Sequence, residues 1–237
     1  MTTYEVTLKV LRQEKACIAG YNKVVCSLQG QPFTDKHRDM KSYIRFAYKE
    51  PISLSFILEN NGLNDALWAL HCIKDADRDI RLFSVWCAWQ VQHLMRDSRS
   101  TNALDVAERF ANGKATKEEL EAASAAAWAA WDASATPNAA NVAASAAACA
   151  ANAACATSAT NPAWAANAAW LASAAAWAAC AANVAAWDAS VAAWNASVDA
   201  SVDASVDASV DASAARAAQT EMFKLMCDGK APWQTQG

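Results

Sequence analysis

The sequence predicts an all-α protein, and three observations carry that prediction. Apolar residues recur at helical spacing through the first half of the chain, between recognisable helix start and stop signals. In the second half, 47 of the 94 residues from 122 to 215 are alanine, the strongest helix former. Pro137 and Pro162 are the only prolines between residues 116 and 227. We therefore expect a helical N-terminal domain followed by an Ala-rich helical bundle or a long antiparallel helical hairpin.

Charge and composition divide the 237 residues into three parts. Residues 1–115 hold 16 Lys and Arg against 13 Asp and Glu, together with most of the large core-forming side chains. Residues 122–215 hold six Asp and no base. We predict a helical N-terminal domain over 1–115, an Ala/Trp-rich helical tract over 116–228 and a C-terminal tail over 229–237.

The N-terminal domain is predicted to consist of five to seven short helices with at most one small β element. Apolar and polar residues alternate at the start of residues 4–18, as they do in a strand. The continuation of this segment favours a helix that ends before Gly20. A second short helix is expected over 21–28, followed by a polar loop over 33–41. Residues 42–50 fit either a strand or a helix.

Start and stop signals place the remaining helices of this domain. Pro51 fits the first position of a helix that stops at Asn61 and Gly62, and Asn64 or Asp65 is the predicted cap of the next helix. The later helices are predicted to begin at Asp77 or Asp79, at Ser100 or Thr101, and at Thr116, which forms a capping box with Glu119.

Three helices are predicted in the tract, over 116–135, 138–159 and 162–227, because its two prolines are the strongest breaks. Large residues recur every seven positions from 170 to 198, which is heptad spacing, with alanine beside them. Tight helix packing explains this pattern, and a tryptophan-lined interaction or ligand groove is the alternative. The candidate groove residues are Trp164, Trp170, Trp177, Trp187 and Trp194.

Nothing in the sequence predicts an enzyme. It has no glycine-rich nucleotide loop, no nucleophile elbow and no Cys/His spacing suited to zinc. We therefore expect no cofactor and no metal site. The eight cysteines form no CxxC pair, and since the chain starts without a secretory signal pattern, they are predicted to be reduced thiols.

Two classes of partner are disfavoured by charge. Basic residues near 36–49 stand beside aromatic ones, as in nucleic-acid-binding surfaces, but Asp35, Asp39 and Glu50 dilute them. Residues 133–187 carry no charge, yet alanine is nearly neutral for membrane insertion and the asparagines oppose it. We expect neither nucleic acid nor membrane binding. The heptad face is instead predicted to pack on residues 116–159 or on a second copy in a homo-oligomer.

Four stretches of the chain resemble a group of accessory proteins of tailed bacteriophages. Those proteins have a similar N-terminal helical domain and a variable tract of Ala, Trp, Ser and Asp, although the tract of this chain has few arginines. The central stretch is also similar, more loosely, to bacterial sequences labelled as immunity proteins. The stretches are ACIAGYNKVVCSL, KEPISLSFILENNGLNDALWAL, RLFSVWCAWQVQHLMRDSRSTNALDVAERFANGKATKEEL and QTEMFKLMCDGKAPW.

This resemblance implies a phage origin, the cytoplasm of an infected bacterium as the location, and no catalytic residues. We accordingly expect a non-enzymatic phage accessory protein that binds a host or phage protein, in a role that counteracts host defence. The alternative is a protein that sequesters a small ligand or nucleotide through the Trp- and Asn-lined tract.

The four Val-Asp-Ala-Ser quartets at 198–213 give a prediction about the tract. On a helix, deleting the quartet 202–205 turns the following residues by only about 40°, so the apolar stripe stays nearly in register. Deleting two residues turns them by about 200° and moves the apolar face to the opposite side. We expect the two-residue deletion to lower the melting temperature clearly more. Equal melting temperatures would show that 198–213 is a tether and not part of a packed helix.

Overall fold

The computed structural model describes residues 4–90, 92, 95, 97–132 and 217–235, and over these ranges the fold is all-α with one small sheet. The predicted helix over 138–159, and most of the one over 162–227, lie outside the described residues. The elements in chain order are β1 (Glu5–Val6), α1 (Leu8–Gln13), α2 (Ile18–Leu28), α3 (Asp35–Arg38), β2 (Ile52–Ser53), α4 (Leu54–Asn61), α5 (Leu63–Ala69), a 3₁₀ turn (Leu70–Cys72), α6 (Asp77–Trp89), α7 (Ser98–Ala111), α8 (Lys117–Asp132), α9 (217–227) and α10 (Pro232–Thr235).

The chain divides into two compact units. The first unit is drawn from Met1–Ala76 and Lys224–Gly237, and the second from Asp77–Phe223. The predicted division into 1–115, 116–228 and 229–237 stays a prediction, because most of the middle part lies outside the described residues.

The first unit encloses a core of large aliphatic and aromatic side chains. Strands β1 and β2 pair antiparallel, with Val6 opposite Ile52. The C-terminal segment is tied to the start of the chain, because the Gln234 side-chain amide donates to the Tyr4 hydroxyl at 3.3 Å and to the Met226 carbonyl at 3.1 Å. The large side chains that are less than 2% exposed in this unit include those of Leu8, Tyr21, Val25, Leu54, Ile57 and Met226.

In the second unit, helices α6, α7 and α8 pack through small residues. Alanines four positions apart on α7 and on α8 belong to one buried cluster. They are Ala103 and Ala107 on α7 and Ala123 and Ala127 on α8, and each is at most 5% exposed. Small side chains let helix backbones approach closely, and the half-buried Trp128 packs against the same cluster. Residues 117–132 of the Ala-rich tract thus pack as their composition predicts.

The structure corrects the predicted start of two helices. Pro51 does not begin a helix, because Ile52 belongs to β2 and the helix starts at Leu54. Ser53 is its cap, since its hydroxyl accepts the Phe56 N–H at 3.1 Å. The predicted caps of α5 are also wrong: the helix begins directly after Gly62, whose φ of 93° is a left-handed conformation that glycine adopts without strain.

Predictions for the loops also need correction. The predicted helix over 4–18 is split, because β1 precedes α1 and the chain turns at Lys15, with φ 61°. The predicted polar loop over 33–41 contains the single turn α3. Residues 42–50 form neither helix nor strand. The buried Asn22 side chain makes hydrogen bonds with the backbone near the start of this segment. It donates to the Ser42 carbonyl at 3.2 Å and accepts the Ile44 N–H at 2.8 Å.

Helix α7 starts earlier than predicted. Asp97 caps it, where Ser100 or Thr101 was expected, and its carboxylate accepts the Arg99 N–H at 2.8 Å. Hydrogen bonds from the Arg99 side chain and backbone lower the pKa of Asp97 to about 2. The cap is therefore charged at neutral pH, as a helix N-terminus favours.

Several signals read from the sequence are confirmed. Helix α4 ends at Asn61, α6 begins at Asp77, and Gly113, at φ 70°, follows the end of α7. The capping box of α8 is present: the Glu119 carboxylate accepts the Thr116 N–H at 2.7 Å, and the Thr116 hydroxyl accepts the Glu119 N–H at 3.2 Å. The expectation of at most one small β element also holds over the described residues.

Candidate binding pocket

A cavity of about 210 Å³ opens in the first unit, among helices α1, α2, α4 and α5. Most of its wall is apolar, and its polar groups gather on the α2 and α5 side. Apolar surface with a few fixed polar groups is the usual make-up of a binding site. The apolar lining includes Leu11, Val24, Ile57 and Trp68, and the polar lining is Cys17, Asn61, Asn64 and Asp65.

The break between α4 and α5 positions the polar groups. Gly62 ends α4 and starts α5, so Asn61 is the last residue of one helix and Asp65 lies in the first turn of the next. The Asn61 side-chain nitrogen donates to the Asp65 carboxylate at 2.7 Å and to the Gly20 carbonyl of α2 at 2.9 Å. One amide thus joins three helices at the edge of the pocket.

These two bonds fix which way the Asn61 amide points. Both partners are acceptors, so the atom between them must be the nitrogen, and both of its protons are used. The Asn61 Oδ1 is then buried, with no hydrogen-bond partner among the described residues. A buried acceptor without a partner is costly, on the order of 1–3 kcal/mol.

Gly20 lets α2 approach α5 at this point. A Cβ on Gly20 would lie 2.8 Å from the Asp65 Oδ2 and 2.9 Å from the Cys17 Sγ. Both distances are shorter than a carbon atom tolerates. The absence of a side chain at position 20 therefore keeps the thiol and the carboxylate at the same edge of the pocket.

Tyr21 forms the inner wall of the pocket and is 1% exposed. Its hydroxyl has no hydrogen-bond partner within the part of the chain that the structure describes. Burial raises the pKa of Tyr21, against the opposing effect of the nearby Arg12 guanidinium. The phenol is therefore neutral at physiological pH. The Tyr43 ring stacks edge-on against it, with centroids 4.8 Å apart.

Cys17 is the exposed thiol of this site and caps α2, accepting the Gly20 N–H on Sγ at 3.3 Å. Burial raises the pKa of Cys72 and of Cys227 to about 12, with nearby Glu14 and Asp228 adding to the effect, so those thiols stay protonated. The five described cysteines are free, and the reduced state of all eight stays a prediction.

The predicted groove belongs to a part of the chain that the structure does not describe. Trp164, Trp170, Trp177, Trp187 and Trp194 lie outside the described residues, and their role as a groove stays a prediction. The pocket was missed because its polar residues were interpreted as helix signals. The residues around Asn61 and Gly62 are as typical of a helix end as of a binding site. Only the folded chain brings Gly20 next to them.

The described ranges also bear on metal binding and on membrane spanning. Over those residues, no three or more His, Cys, Asp or Glu side chains group closely enough to hold a metal ion. No helix in the described part of the chain is long and apolar enough to span a membrane. Asp35, in the basic segment, is paired with Arg38 at 2.9 Å.

Comparisons with known proteins add no family to these observations. No family model matches the chain, and neither the curated proteins nor the solved structures contain a match. The resemblance to phage accessory proteins therefore stays a prediction.

The contacts of Gly20 give a test of the pocket geometry. Gly→Ala in a helix usually stabilises by up to about 1 kcal/mol. We expect Gly20→Ala to bring no gain, because its Cβ displaces the Asp65 carboxylate and the Cys17 thiol. In a Cys17→Ala/Asp65→Ala background the obstacle is gone, and the gain should return. Urea denaturation of the four proteins measures both effects, and an equal gain in both backgrounds would contradict the described edge of the pocket.

Proposed function

We propose that the protein is a non-enzymatic accessory protein that holds a partner protein by inserting one of the partner's side chains into the pocket of the first unit. The pocket is the observation that carries this proposal. Its apolar wall supplies burial, and its few fixed polar groups supply orientation, as in the anchor pockets that dominate binding energy at interfaces.

The size of the pocket favours a side chain over a nucleotide. Pockets for drug-sized ligands enclose roughly 300–1,000 Å³. The volume of this cavity, about 210 Å³, is below that range. The cavity opens to the surface beside the exposed residues Cys17 and Asn64, where a partner can reach it. The alternative of a sequestered small ligand or nucleotide rests on tryptophans outside the described residues, and this cavity does not add to it.

The chemistry of the lining supports binding without catalysis. Nucleophilic catalysis by cysteine needs an adjacent base. Among the described residues that line the pocket, Cys17 has Asp65 and Asn61 as polar neighbours, and no histidine. The site therefore has acceptors suited to recognition and lacks the usual proton-transfer partner of a catalytic thiol.

The setting of this function comes from the resemblance. The resemblance to accessory proteins of tailed bacteriophages implies that the partner is a host or phage protein in the cytoplasm of an infected bacterium. Counteracting host defence is the role we propose for the complex. In this proposal the first unit makes the contact, and the three-helix core of the second unit is a structural support.

Blocking the pocket tests the proposal. Asn64 is exposed on α5 and lines the cavity, so Asn64→Trp should fill the opening without disturbing the core. Asn102 is exposed on α7 in the other unit, and Asn102→Trp is the matched control. We expect a protein recovered with the wild-type chain from infected cells to be retained by Asn102→Trp and reduced at least about tenfold by Asn64→Trp, in quantitative mass spectrometry. Equal recovery with all three proteins would refute the proposed site.

A further inference from the structure

The polar edge of the pocket offers acceptors to a ligand and has no spare donor on its amide. Both protons of the Asn61 amide are already donated, to Gly20 and to Asp65, while its oxygen is buried and unpaired. The Asp65 carboxylate accepts one of those bonds, and it makes no ion pair with any residue that the structure describes. A ligand group that pairs with Asp65 must therefore bring protons.

Asp65 is the charged residue in the lining, and two cations stand nearby. The Lys23 ammonium donates to the Asn61 backbone carbonyl at 3.5 Å. The Arg12 guanidinium lies over the Tyr21 ring, 5.7 Å from its centroid. Neither side chain lines the cavity, so the charge that a bound group meets directly is negative.

The apolar wall restricts the body of the ligand. Leu11, Ile57 and Trp68 present aliphatic and aromatic surface next to the polar edge. A group that fits both parts has an unbranched apolar stem and a cationic end. Lysine has this form: a four-carbon stem with three rotatable donors and no acceptor. Arginine has a shorter, three-carbon stem and a rigid planar fork, so less of its length lies on an apolar wall.

We propose that the side chain taken by the pocket is a lysine of the partner protein, with its stem on the apolar wall and its ammonium against the Asp65 carboxylate. This inference rests on the proposed function, because it names the group that the pocket receives. It places the specificity of the contact in the Asp65 carboxylate of α5, which the Asn61 amide of α4 holds in position.

The test uses three small probes on the full chain. They are N-acetyl-lysine N′-methylamide, the norleucine equivalent, which keeps the stem and lacks the ammonium, and the Nε-acetyl-lysine equivalent, which loses the charge. Binding is followed by NMR shifts of the Asn61 side-chain amide and the Trp68 indole. We expect the lysine probe to bind at least about tenfold more tightly than either of the others, and the difference to shrink at high salt, since screening weakens an ion pair.

Two variants assign the preference to Asp65. Asp65→Asn keeps an acceptor for the Asn61 amide and removes the charge, so it should reduce the affinity for lysine to that for norleucine and leave norleucine binding unchanged. Asp105→Asn on α7 removes an exposed carboxylate of the other unit and should change neither affinity.

The outcomes separate the two proposals. Equal affinity of the wild-type chain for lysine and norleucine overturns the lysine assignment and leaves an apolar anchor pocket, as the proposed function requires. Absence of lysine binding also overturns it, whereas the proposed function is then judged by the recovery of the partner with Asn64→Trp. The comparison of probes on the wild-type chain decides the inference even if Asp65→Asn does not fold.

Discussion

The Asn61 side-chain amide is the interaction on which the first unit depends. It lies at the end of α4, and it bonds at the same time to the Gly20 carbonyl of α2 and to the Asp65 carboxylate of α5. Gly62 makes this geometry possible, because its φ of 93° ends one helix and starts the next without an intervening loop. Three helices are thereby held around a cavity that their apolar side chains leave unfilled.

This arrangement links stability to binding. The amide satisfies a helix carbonyl and a carboxylate, each of which would lose hydrogen bonding on burial, and its own oxygen stays unpaired as a result. The same amide holds the Asp65 carboxylate on the lining of the pocket, which is the acceptor that the proposed lysine would meet. Tyr21 is buried in the wall beside this edge, and Gly20 lets α2 come close to α5 there.

The two units illustrate different ways of packing helices. The first fills its core with Leu, Ile and aromatic side chains, whereas α7 and α8 of the second meet through alanines at every fourth position. Alanine buries little apolar area, so such a contact gains its stability from close backbone approach and from larger neighbours such as Leu104 and Leu120.

The fold class and several helix boundaries were predictable from the sequence, since a capping box such as Thr116 with Glu119 and a stop such as Asn61 with Gly62 are local signals. The predictions were wrong where a residue distant in the sequence determines the local backbone structure. Ile52 belongs to a strand because Val6 lies opposite it. The Ser42 carbonyl and the Ile44 N–H bond to the Asn22 side chain, and residues 42–44 form neither helix nor strand. The pocket was not predictable for the same reason, because Gly20 and Asp65 are brought together only by the packing of α2 on α5.

Hydrogen exchange of the Asn61 side-chain amide tests the central claim most directly. If both protons are held by Gly20 and Asp65, they should exchange with solvent markedly more slowly than those of the exposed Asn102, in NMR measurements on the full chain. Exchange of the Asn61 protons as fast as those of Asn102 would show that the amide is not fixed, and the pocket would then have no prepared acceptor.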